Sequence, residues 1–131
     1  MFDFTKFNAE LKKIEEKLNS EKKYRNNSFE NLISSWKNFV SELEKGYQAS
    51  IDDYILDINM RDVIQDYLEN VSTDLKEKLL FEIKNSDQLF IEFTDAIKDA
   101  PTVIRHLNYP SEKFWFYRKP KKLSEYLSIY F

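Results

Sequence analysis

The densest group of chemically capable side chains lies between positions 52 and 66. Asp52, Asp53, Asp57, Arg61, Asp62 and Asp66 place five carboxylates around one guanidinium. On a helix, Asp53, Asp57 and Arg61 stack at i, i+4 and i+8. At about 100° per residue, Arg61 projects into the apolar stripe of Leu43, Tyr47 and Tyr54, with Asp57 at its edge. A guanidinium taken out of water needs a carboxylate. The spacing therefore predicts a structural ion pair between Asp57 and Arg61, with Asp53 or Asp87 as additional partners. The outward carboxylates Asp52, Asp62, Asp66 and Glu69 then make an acidic surface for a binding partner. A divalent-metal or carboxylate-catalysis site is a third reading. Helical di-metal sites normally use Glu-x-x-His pairs, and the chain has none. No metal ligand, cofactor or catalytic residue is expected.

The other reactive types are scarce. His106 is the one histidine, in Val103-Ile104-Arg105-His106-Leu107, with no cysteine anywhere. General acid–base work often uses histidine, but this one has no second His or Cys nearby, and a structural or solvent role is expected. One glycine excludes a Gly-x-Ser-x-Gly elbow, a P-loop and a dinucleotide fingerprint. Arg105, Lys113, Arg118, Lys119, Lys121 and Lys122 mix with aromatics near the C-terminal end. Stacking plus phosphate contact holds single strands, yet ordinary cation–π packing uses the same residues. With a net charge of −3, nucleic acid is not expected as a partner.

The elements that must position these groups are helices. Three Pro and one Gly among 131 residues cannot punctuate an all-β fold, which turns every ~8–12 residues. One domain, 1–131, fits the length. Aromatics make up 16% of the chain, so large rings build the core. Helix 1 is predicted over about 3–22, its seam Phe4, Phe7, Leu11, Ile14 and Leu18 spaced 3, 4, 3, 4. A turn at 24–28 follows, with Ser28 as N-cap. Phe29, Leu32, Ile33, Trp36, Phe39, Val40 and Leu43 continue at helical spacing. The period runs on through Gly46 to Tyr47, Ile51, Tyr54 and Ile58, which favours one long helix over about 28–58. A restart at Ser50, with Asp53 three residues on, is the alternative. Asn59 is a candidate cap for a short helix over 60–70. Ser72 to Asp74 cap a helix over 74–98, with Leu75, Leu79, Ile83, Phe90, Phe93 and Ile97 inward. After Pro101 the run Phe114-Trp115-Phe116-Tyr117-Arg118 has no helical period. It reads as an extended segment or ordered loop across the bundle, and 121–130 as a short last helix. The fold class is thus all-α, a bundle of four main helices with a non-helical aromatic end piece.

No stretch approaches the ~18 apolar residues of a membrane span, and the start of the chain has no secretory pattern. A cytoplasmic protein is expected.

Trp36, Phe39-Val40, Glu44, Gly46-Tyr47, Ser50-Ile51-Asp52-Asp53-Tyr54, Asp57 and Arg61-Asp62 occur in order, followed by Asp87 and Trp115-Phe116-Tyr117-Arg118-Lys119-Pro120. Over about residues 36–120 the pattern resembles small bacterial helical proteins, some of them similar to immunity proteins of contact-dependent inhibition and other polymorphic toxin systems. The resemblance implies a protein that binds and neutralises a cognate toxin stoichiometrically, with no turnover. An acidic helical face would suit a toxin nuclease with a basic cleft. The rival reading is a helical scaffold or self-associating module, its helix 1 seam pairing with a second copy to form a homo-dimer.

Overall fold

The computed structural model describes residues 4–20 and 28–131. The turn expected at 24–28 lies, apart from Ser28, outside the described residues, as do the outermost residues of helix 1. A 3₁₀ turn, Phe4–Phe7, leads into α1, Asn8–Ser20. Three longer helices follow: α2, Phe29–Lys45, α3, Ile51–Asn70, and α4, Thr73–Glu92. The four main helices make the expected bundle. α2 packs against both α3 and α4, and α1 lies along α3.

Each of the three long helices starts on a serine. The Ser28 hydroxyl accepts from Asn31 N at 3.2 Å, Ser50 from Asp53 N at 3.1 Å, and Ser72 from Leu75 N at 3.4 Å. These bonds satisfy amides that a helix start leaves without partners. The Glu10 carboxylate accepts from both Ser72 N and Ser72 Oγ, at 2.5 and 3.0 Å, which ties α1 to the start of α4.

The long helix predicted over 28–58 is two helices. α2 stops at Gly46, whose φ of +106° lies outside what a side-chain-bearing residue readily adopts. Gly46 N bonds back to Leu43 O, and the chain restarts on the Ser50 cap. No break falls at Asn59, so the short helix predicted over 60–70 is the second half of α3.

Helix α4 also ends earlier than predicted. Residues 94–96 are a strand, β1, Thr94–Ala96, antiparallel to β2, Arg118–Pro120, with Thr94 opposite Pro120 and Ala96 opposite Arg118. The reason is local competition for backbone carbonyls. Thr94 Oγ1 donates to Phe90 O at 2.6 Å, and Arg118 donates to Ile91 O and Thr94 O at 3.1 and 2.9 Å. A side chain from 24 residues away thus satisfies the carbonyls that close the helix.

Between the strands the chain forms two 3₁₀ segments, Thr102–Leu107 and Phe114–Tyr117. The aromatic run is therefore a single tight turn, with Trp115 and Phe116 buried and Phe114 and Tyr117 half-buried. A last short helix, α5, Glu125–Ser128, buries Leu127.

Rings fill the centre. Phe39 lies 5.5 Å from Trp36, 5.7 Å from Tyr47, 5.9 Å from Tyr54 and 6.3 Å from Phe90, centroid to centroid. Leu11, Ile14 and Leu18 of α1 join this core at 7, 6 and 3% exposure. These three residues of the predicted seam are therefore covered within the fold. No helix among the described residues is long and apolar enough to cross a membrane.

Candidate functional site

Arg61 sits on the inward face of α3 at 4% exposure. Its partner is Asp87 of α4. Arg61 Nε donates to Asp87 Oδ1 at 3.1 Å and a terminal nitrogen to Oδ2 at 3.0 Å, while the other terminal nitrogen reaches Gln65 Oε1 at 3.1 Å. Trp36 Nε1 donates to the same Asp87 Oδ1 at 3.0 Å. The guanidinium carbon lies 4.8 Å from the Trp115 ring centroid. One charged pair thus joins α2, α3, α4 and the aromatic turn. Fork-to-fork geometry and the added bonds are what let a buried ion pair offset its desolvation.

The Asp57–Arg61 pair predicted from spacing does not form. Asp57 instead accepts from the Tyr47 hydroxyl at 2.7 Å. The break at Gly46 carries Tyr47 off α2 and over the first turns of α3, where its hydroxyl meets Asp57. Arg61 is left to face across the bundle, where Asp87 offers both oxygens. Burial raises the Asp57 carboxyl above its ordinary value; the Tyr47 bond opposes this, and Glu42 and Asp53 add to it. Burial and the Asp57 bond together push the Tyr47 hydroxyl well above the ordinary phenol range.

Asp62, expected on the acidic surface, is buried at 7% exposure. Lys113, from the segment before the aromatic turn, covers it with Nζ 2.9 Å from Oδ1. Burial still raises the Asp62 carboxyl; Lys113 opposes this, and Asp66 and Glu69 reinforce it. Burial depresses the Lys113 ammonium, but its bond to Asp62 and the nearby charges raise it on balance.

The remaining members of the predicted surface stay outward. Asp52 and Glu69 are exposed and Asp66 is half-buried. Asp52 and Asp53 occupy the first turn of α3, where carboxylates oppose the positive end of the helix dipole. Asp66 and Glu69 lie about 20–25 Å further along the axis at about 1.5 Å per residue. The acidic surface is therefore two groups on one helix, and Asp62 belongs to neither.

His106 is exposed on the 3₁₀ segment Thr102–Leu107. Asp57 and Asp62 turn to different partners on different sides of α3. Among the described residues no three His, Asp or Glu side chains are grouped to hold a metal ion.

One feature escaped the sequence reading. The outer face of α4 bears a shallow cleft of about 350 Å³ lined by Leu80, Phe81, Lys84, Asp87, Gln88 and Ile91. The signal was available as a second spacing on the helix, Leu80, Lys84, Asp87 and Ile91, beside the apolar one that defines its inner face. Compared with family models, curated proteins and solved structures, the chain matches none of them.

Proposed function

We propose that this chain is a stoichiometric binding protein, an immunity protein that neutralises a cognate bacterial toxin in the cytoplasm. The observation that carries the reading is the division of charge on α3. Its buried and half-buried ionic groups are committed to internal partners: Arg61 to Asp87, Asp57 to Tyr47 and Asp62 to Lys113. Its exposed carboxylates, Asp52, Asp53 and Glu69, face solvent on the same helix. Committed internal charges brace a scaffold, whereas a spread of surface carboxylates gives a field that draws in a basic partner. A nuclease cleft that binds phosphates is such a partner, and occupying it needs complementarity and fast capture, without turnover. The resemblance over residues 36–120 points the same way.

Co-expression with the toxin encoded beside the gene tests this. The expected result is rescued growth together with a one-to-one complex by calorimetry. A complex that weakens little as salt is raised, or no complex with any neighbouring toxin, would sink the proposal.

A further inference from the structure

The outer face of α4 carries a strip that the bundle leaves uncovered except at Asp87, whose carboxylate also holds Arg61 and Trp36. Leu80, Lys84, Asp87 and Ile91 are spaced 4, 3 and 4 along the helix, so they fall in one row. Leu80, Phe81 and Ile91 are 41, 80 and 47% exposed around one cleft. Isolated surface apolar residues are ordinary; here three border one cleft.

The row reads the same in both directions about the midpoint between residues 85 and 86. Two copies laid antiparallel on a two-fold axis would set Leu80 of each against Ile91 of the other, and Lys84 of each against Asp87 of the other. Lys84 is exposed and makes no ion pair among the described residues. Asp87 can take such a cation. A carboxylate has about four acceptor positions, and three are used by Trp36 and Arg61. Its side chain is still 20% exposed on the cleft. Parallel pairing would set Lys84 on Lys84 and Asp87 on Asp87, so like-charge repulsion rejects it. We propose that α4 is a self-association surface on which a second copy of this chain packs antiparallel through Leu80, Lys84, Asp87 and Ile91. The surface is distinct from the outward carboxylates of α3, so it stands or falls apart from the toxin reading.

Light scattering of the full chain over a concentration series tests the proposal. The wild type is expected to dimerise. Leu80→Glu buries two unpaired carboxylates per dimer and raises its dissociation constant about 100-fold; Lys84→Glu weakens it as well. Both side chains are exposed, so circular dichroism should not change. The chain has no cysteine, so a single spin label at Asp74→Cys reads the register. Antiparallel pairing about the 85/86 midpoint separates the two labels by about 35 Å along the axis. A wild type that stays monomeric, a dimer indifferent to Leu80→Glu, or labels close together would each overturn it. So would a monomeric wild type whose toxin binding is lost in Leu80→Glu, which gives the strip to the toxin.

Discussion

The Arg61 guanidinium meets the Asp87 carboxylate edge to edge, with both oxygens of Asp87 engaged at 3.1 and 3.0 Å. The two residues lie 26 positions apart on different helices, and Trp36 from a third helix shares one of the oxygens. Asp87→Ala would leave a guanidinium with a 5% exposed side chain and an indole N–H without their acceptor. The expected cost is about 3–5 kcal/mol, the usual penalty for breaking a buried pair from one side. Urea unfolding measures it. A loss under about 1 kcal/mol would mean that the pair is not held as described.

Asp57 should behave differently. Its carboxyl is raised in the fold, chiefly by burial, so the folded state favours the protonated form. That contribution is fully present below the ordinary carboxylate value near 3.8 and is lost as pH rises through the raised one. The stability of the wild type relative to Asp57→Asn should therefore fall as pH climbs from about 3.5 to 7. Urea midpoints of the two proteins at both ends of that range read the sign. An ion pair with Arg61 would favour the charged form and drive the difference the other way.

Gly46 sits at φ +106° and ψ +118°. A Cβ there would meet only ordinary contacts, Gln48 Nε2 and Lys122 Cβ at 3.7 Å, so space is not the obstacle. Backbone strain is. Gly46→Ala should cost about 1–3 kcal/mol, and Gly46→Asn should not recover it, because this ψ lies outside the left-handed region that asparagine tolerates. Thermal melts of the two variants check this, and an unchanged midpoint in Gly46→Ala would contradict it.

On the proposed toxin interface, Asp52→Lys with Glu69→Lys should slow association at low salt and leave the dissociation rate nearly unchanged. Stability should fall by about 0.5–1.5 kcal/mol, because Asp52→Lys sets a cation at the positive end of the α3 dipole. Stopped-flow binding at two salt concentrations separates these outcomes. An unchanged association rate would remove α3 from the interface.

The sequence made the inner faces legible and hid the connections. Leu43, Tyr47, Ile51, Tyr54 and Ile58 are all buried, as their spacing implied. The chain nevertheless breaks between them, because the linking residues keep facing the core while the axis changes direction. Apolar period reports burial, and here burial persists across a bend. The Ser50 cap carried the local signal for the restart. For Asp62 no local signal existed: its outward place on a helical wheel is roofed by Lys113, from far along the chain. Arg61 was legible as a buried cation, but its partner was not, since Asp57 and Asp87 both satisfy the charge requirement and only the three-dimensional crossing of α3 and α4 selects one.

The bend at 46–50 also sets an order of events in time. Tyr47 N bonds to Lys122 O, Tyr47 bridges Leu123, and Lys122 Nζ reaches Glu44 O across 78 positions. Tyr54 donates its hydroxyl to Arg118 O, 64 positions on. A ribosome delivers these partners long after it has delivered the bend. The helical hairpins can form as they emerge, because their contacts are near in sequence. The aromatic centre around Tyr47 and Tyr54 gains these partners only once residues 118–123 are made, so the second strand completes the cover of a core that the helices begin.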